Sequence, residues 1–372
     1  MSAWHCVHVQ YYDPDKDDLI LDAVRPLFEQ LRPYAERLHL ARHWRRGPHV
    51  RLFVKTDPDT WTHVVRPHIH TVIGDYLEAH PSTFVPDFAH DLAQHRLLAH
   101  HERDDGPLTP WLPDNTVHEQ PYDSRLHVVR SPETAELMAA FASDTTSLLF
   151  TMLSRARNGQ DRKDLMALEL MLATSATARP PITRSFVSYR SHAEGYLHAC
   201  DKPDAIRQVF EQHYHTHRQS YVDRTRAVLA TLAGSPDPTP LAHAWATVCR
   251  EYAARVAPLI TRGLVFPPLP ADPPPTPPRA PMHALMFGNR AFRRGVFADP
   301  GFLRYRFLLN CTYLQINRLG LTPYERMRTC HATANAVEEI HGISAIDMVQ
   351  SFVNTHPNTP QSAPARSSSK GG

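Results

Sequence analysis

The chain has 372 residues, 42% hydrophobic and 21% charged, enough for one large domain or two small ones with a substantial core. No run approaches the ~20 continuous apolar residues of a membrane span, and Met1-Ser2-Ala3-Trp4-His5-Cys6 lacks the basic and apolar blocks of a signal peptide. No membrane partner is therefore expected, and a cytoplasmic location is. The net charge is +2, and the basic residues, nearly all arginine, form no dense basic stripe, so no nucleic-acid partner is expected either. Five dispersed cysteines (Cys6, Cys200, Cys249, Cys311, Cys330) form no disulfide framework and no CxxC metal site.

In chain order, Trp4–Tyr12 is apolar and β-rich, and Asp13-Pro14-Asp15 is a turn. Residues 17–37 read as a helix with Leu19, Ala23, Val24, Leu27 and Leu31 on one face. Two strands, Leu38–Trp44 and His49–Lys55, flank the hairpin signal Arg46-Gly47-Pro48. A second helix occupies about 58–79. The order β-α-β-β-α predicts an antiparallel sheet with helices on one face, an α+β fold. Residues 80–130, punctuated by proline and histidine, read as loop across that sheet.

Helices dominate afterwards, at about 132–157, 161–176, 203–216, 219–233, 239–261, 299–318 and 323–340. The first starts at Ser131-Pro132-Glu133, with a hydroxyl as N-cap and proline in the first turn. Residues 266–282 are proline-rich and read as a stiff strap over the surface. The expected organisation is one catalytic domain, 1–345, with a sheet-rich half (1–130), a helical half (131–345) and a disordered tail over 355–372.

Two places carry polar residues where a core would exclude them. On the strand Gly47–Val54, alternation sends His49, Arg51 and Phe53 to one face. A half-buried arginine needs an anionic or carbonyl partner, either an acid of the same domain or a ligand. On the apolar helix Phe302–Leu319, Arg306, Asn310, Tyr313 and Asn317 recur at helical spacing. Such a stripe either bonds neighbouring loops or lines a cavity; Gln315 and Arg318 lie off it. His213 and His217 share a helical face but lack a third ligand, so no metal is expected.

At these places the sequence resembles the lantibiotic and thiopeptide-type dehydratase elimination domains. Pro48-His49-Val50-Arg51-Leu52 is similar to the family's "PHLRLR" strand, and Asn317-Arg318-Leu319-Gly320-Leu321 to its "HMxxNRLGL" helix. Ser188-Tyr189-Arg190-Ser191-His192-Ala193-Glu194-Gly195 resembles a mid-domain signature, and Tyr122–Glu133 aligns with "YxREIERYGGPE". The resemblance spans most of 1–345. It implies an elimination-domain-like fold, an antiparallel sheet with a largely helical C-terminal half.

Four elimination positions are altered. Tyr313 stands where eliminating members have a histidine, Phe53 replaces the second arginine of the strand, and Arg125 and Val128 replace a glutamate and an arginine. Arg51 alone survives. The stand-alone branch that has lost elimination is the thiopeptide pyridine synthases. That resemblance implies a formal aza-[4+2] cycloaddition between two dehydroalanines of a leader-bearing, azole-containing precursor peptide, followed by loss of water and of the leader.

The residues that remain suit this chemistry, which calls for proximity, weak acids and hydrogen-bond donors rather than a cofactor. The expected roles are Tyr313 as proton donor, with Arg51 and Asn317 holding amide carbonyls. His49, Arg306, Asn310, Gln315, Ser191 and His192 are expected to bind substrate. Arg51 and Tyr313 should face each other across one peptide-sized chamber. A divergent glutamate eliminase and a non-catalytic peptide presenter are the alternatives. A homodimer is left open.

Overall fold

A computed structural model describes residues 1–102, 104–267 and 279–358. Its N-terminal third is built on a four-stranded antiparallel sheet of order β2-β3-β1-β4. The strands are β1 (Ala3–Gln10), β2 (Arg37–His43), β3 (His49–Thr56) and β4 (Thr116–Gln120). The β2–β3 turn runs through Arg46 (φ 61°) and Gly47 (φ 101°). A Cβ on Gly47 would also lie 2.9 Å from the Tyr12 ring, so backbone and packing both demand glycine there.

Strand alternation divides the sheet into unlike faces. Val50, Leu52 and Val54 of β3, Val7 and Val9 of β1 and Leu40 of β2 are buried. They share one core with the π-type turn Leu19–Val24, α1 (Arg25–Leu31) and α2 (Arg66–Ala79). The opposite face is polar and aromatic. Register sets Trp4 by Lys55, Cys6 by Phe53, His8 by Arg51 and Gln10 by His49. It also sets His39 by Phe53, His43 by His49 and His118 by His8. This is the face that carries the sequence's arginine.

Within the stretch expected to be loop lie α3 (Phe88–Glu102) and the edge strand β4. α3 was hidden because its apolar residues do not gather on one side; Phe88 and Leu97 are exposed. The expected helix 132–157 is two, α4 (Pro132–Asp144) and α5 (Thr146–Arg157), broken at Thr145. α6 (Lys163–Ala178) follows, then α7 (Val187–Leu197), which carries the mid-domain signature.

The expected pair 203–216 and 219–233 is a single helix, α8 (Pro203–Leu232). No Gly or Pro interrupts it beyond its first residue, and in its His-rich middle His215 is exposed while half-buried His213 and His217 bond Tyr221 and Arg162. α9 (Pro240–Thr261), α10 (Pro281–Gly288), α11 (Pro300–Arg318), α12 (Pro323–His341) and α13 (Ala345–Thr355) complete the fold. Pro281 and Met282, assigned to the strap, begin α10, and Thr355, assigned to the tail, ends α13. The remaining strap and tail positions 268–278 and 359–372 lie outside the described residues.

α6 is the axis of the helical half. Its residues 165–175 are all buried, and α8, α9, α11 and α12 pack around it, as a helix apolar on all sides requires. Three polar residues lie in this stretch: Glu169 pairs with Arg224 (2.6 Å), Thr174 bonds Thr312 (2.7 Å) and the Trp245 indole (2.9 Å), and Ser175 bonds Tyr189 and Tyr305. The C-terminal end of α11 docks on the sheet half. Arg318 donates to Thr145 and Thr146, and Arg42 of β2 donates to the Arg318 carbonyl at 2.9 Å. Among the described residues no single helix is long and apolar enough to cross a membrane.

Candidate active site

Two groups of polar side chains stand out. The first lies on the polar face of the sheet. Arg51 is 8% exposed, and its Nε donates to His49 Nε2 at 3.1 Å. His49 Nδ1 lies 2.8 Å from the Gly47 carbonyl, which only accepts. The ring proton therefore sits on Nδ1, which leaves Nε2 free to accept from Arg51. Burial, with His8 and Arg51 nearby, holds His49 well below the ordinary imidazole range. Burial likewise takes His8, stacked on His49 at 4.3 Å, down to about 3.

Arg51 forms no ion pair among the described residues. Burial lowers its pKa to about 10, with Cys6 acting against the shift and Arg45 and Arg125 adding to it. A ladder of rings leads outward from it: His8, His49, His43, Trp44, His95, Trp111 and the exposed Phe88, with successive centroids 4.3–5.3 Å apart.

The second group lies in the helical half. The Tyr313 hydroxyl of α11 meets His192 Nδ1 of α7 at 2.6 Å, and Cys330 Sγ of α12 lies 3.4 Å from it. Burial raises the Tyr313 phenol well above its ordinary range, with neighbouring Cys330 and Tyr189 adding to the shift. Burial, then His283, Arg326 and Arg306, brings His192 down to about 4. Near neutral pH the pair is therefore a neutral phenol on a neutral imidazole.

The cationic surroundings are specific. Arg326 Nη1 donates to Asn317 Oδ1 at 2.7 Å, and its guanidinium lies 5.2 Å from the Tyr313 ring centroid. Arg306 lies over the Phe266 ring at 4.4 Å. Ser191, beside His192, bonds His283 of α10 at 2.8 Å. Gly195, one turn on, lets that histidine approach: a Cβ there would lie 2.5 Å from His283 Cε1.

The structure thus brings Tyr313, Asn317, His192, Ser191 and Arg306 into one neighbourhood, and Arg51 and His49 into another. The two share no hydrogen-bond partner among the described residues. On the sheet face that carries Arg51, the His39 ring stacks on Phe53 at 4.5 Å, and the charge of Arg318 at the end of α11 helps depress His39. The described contacts form two separate networks, and none joins Arg51 to Tyr313 directly.

Gln315 departs from expectation. It is fully buried across the helix from Tyr313, where its amide meets Arg318 (2.9 Å) and the Met152 sulfur, so it packs rather than faces a ligand. Asn310 is exposed on the stripe. A cavity of about 710 Å³ opens elsewhere, between α1, the start of β2 and α5. Phe28, Arg37, Asp144 and Phe150 help line it, and it holds none of the expected residues. Among the described residues no cluster of His, Cys, Asp or Glu is arranged to hold a metal ion.

Arg326 and His283 were not anticipated. Arg326 had a signal: it follows the capping box Thr322–Glu325 in the first turn of α12, where the helix dipole disfavours a cation. His283 had none, because it reaches the site only through the packing of α10 on α7.

Comparison with known proteins supplies the lineage. The family model for the lantibiotic biosynthesis dehydratase C-terminal region matches residues 4–337. Among solved structures, the pyridine synthase TbtD from thiomuracin biosynthesis is 33% identical with a TM-score of 0.74, over 92% of this chain and 99% of that one. TsrL, at 20% identity and a TM-score of 0.67 over 94% and 99% of the two chains, shares the fold. A search of curated proteins finds no match. The altered elimination positions therefore sit in a shared framework, and the chain belongs to the lantibiotic biosynthesis dehydratase C-terminal family.

Proposed function

We propose that the protein is a pyridine synthase of thiopeptide biosynthesis, acting on a leader-bearing precursor peptide that carries two dehydroalanines. The observation that carries this reading is the neutral Tyr313–His192 pair at the position where eliminating relatives have a histidine. The 33% identity to a pyridine synthase over nearly the whole of both chains supports it.

One dehydroalanine and its preceding amide, as the imidic acid tautomer, form the azadiene; the other dehydroalanine is the dienophile. Two carbon–carbon bonds form, one between the β-carbons and one from the imidic carbon to the dienophile's α-carbon. The imidic hydroxyl leaves as water. The bond from the dienophile's α-carbon to its nitrogen then breaks and releases the leader as a carboxamide. Both losses are eliminations, so the ring reaches aromaticity without an oxidant.

In this sequence Tyr313, oriented at rest by its hydrogen bond to His192 Nδ1, passes its proton to the imidic oxygen and recovers one from water. The proton lost from the amide nitrogen goes to water. A phenol held neutral by burial suits donation, where a histidine would suit abstraction. Arg51 and Asn317 hold amide carbonyls of the folded peptide. Bringing two distant alkenes together is largely a proximity problem, and holding them in reach supplies a large part of the barrier lowering.

Incubating the full chain with a bis-dehydroalanine precursor should give a smaller macrocycle and a freed leader carboxamide in one mass spectrum. Glutamate release from a glutamylated peptide would instead mark an eliminase. Leader binding with no mass change would mark a presenter.

A further inference from the structure

Arg326 is an expensive residue where it stands. It occupies the first turn of α12, against the helix dipole, and is only partly accessible to water. No carboxylate pairs with it among the described residues. Its one hydrogen bond there is to the neutral Asn317 Oδ1, and its Nε is buried without a partner. Glu325, the nearest acid in sequence, is turned away into the Thr322 capping box. A partly buried cation without a counter-charge adds little to stability, which points to a use for the charge elsewhere.

Its surroundings indicate the use. The guanidinium lies over the Tyr313 ring and grips Asn317, which ties together the two stripe residues given roles above. Its charge reaches both His192 and Cys330. The fork geometry of arginine lets Nη1 stay on Asn317 while Nη2 points to a second oxygen. We infer that Arg326 is a catalytic residue that binds the amide oxygen of the azadiene half beside Tyr313, stabilising negative charge there until the phenol protonates it. This rests on the pyridine synthase reading. The ligand chemistry is an amide or imidate oxygen, and Asn317 orients the arginine that receives it.

The test uses the full chain with a bis-dehydroalanine precursor, comparing wild type, Arg326→Gln and Arg326→Lys in kcat, KM and pH profile. Removing an oxyanion donor of this kind lowers kcat by about a hundredfold or more, so Arg326→Gln should do so with KM within roughly threefold. The acid limb of its profile should also move upward from about 4, because His192 loses a repelling charge. Arg326→Lys keeps the charge but lacks the fork, so it should lose about tenfold in kcat with the acid limb unmoved.

Arg326→Gln turning over within threefold of wild type overturns the inference. Equal losses in both variants with no movement of the acid limb also overturn it, since that is the mark of a structural role. If Arg326→Gln does not fold, Arg326→Lys at the wild-type rate overturns it alone. Wild type that forms no pyridine fails at the earlier step and refutes the function together with this residue's part in it.

Discussion

His39 offers a sharp test of how the polar sheet face is built. Its ring is buried, stacks on Phe53 at 4.5 Å and meets Trp4 edge-on at 5.2 Å, and both ring nitrogens lack partners. Burial, helped by Arg318, keeps it neutral well below the ordinary range. In the unfolded chain its pKa returns to about 6.5. Between that value and the lower folded one, the unfolded state carries the extra proton. The His39 contribution is therefore intact above about pH 6.5 and is lost by about 1.4 kcal/mol per pH unit as pH falls toward the folded value.

Replacing His39 with phenylalanine removes both liabilities and keeps the stack. Relief of unpartnered buried nitrogens is worth about 1–3 kcal/mol, less some strain from the larger ring. At pH 5, loss of the titration adds up to about 2 kcal/mol more. Urea unfolding of wild type and His39→Phe at pH 7 and pH 5 measures both parts. A variant whose advantage at pH 5 does not exceed that at pH 7 by at least about 1 kcal/mol would refute the argument that His39 folds neutral.

Tyr313→Phe should leave the fold intact and reduce pyridine formation at least about tenfold, measured by mass spectrometry of the precursor. Arg51→Ala should do the same, with a drop in thermal stability too, because His49 Nε2 loses its donor. Turnover should be flat from pH 6 to 8 and fall toward about 4, where His192 becomes protonated and no longer accepts from Tyr313; a limb near 6.5 would mean that His192 is solvated. Gly195→Ala, normally helpful in a helix by about 1 kcal/mol, should destabilise the chain here, because the new methyl meets His283. Adding His283→Ala should restore the melting temperature, and failure to do so would place the clash elsewhere.

What the sequence disclosed followed what its physics could encode. Alternation on β3 and the Gly47 turn are local rules, and they gave the hairpin, the antiparallel sheet and the face that carries Arg51. Helical spacing on α11 put Tyr313 and Asn317 on one side and Gln315 on the other. Local rules fail where an element is held by its neighbours. α3 shows no apolar periodicity, and β4 is a short edge strand recognisable only by its pairing with β1. The distance between Arg51 and Tyr313 is tertiary information of the same kind. The way α11 meets the sheet, through Arg42 on the Arg318 carbonyl and Arg318 on Thr146, is set by no spacing within either segment.

On the pyridine synthase reading, position 313 is where a shared framework would take on other chemistry. A histidine in this environment would face Arg326, Arg306 and His283 with no carboxylate to support its protonated form, and His192 shows the result, an imidazole held down to about 4. A phenol in the same place responds oppositely: burial pushes its pKa up, so it keeps its proton across the whole working range. On that reading the phenol makes the position a proton donor where a histidine would accept. Those cations favour electron density building on a substrate oxygen, which amide tautomerisation and departure of hydroxide both require. The proposed function thus calls on this arrangement for proton delivery at oxygen rather than for abstraction at carbon.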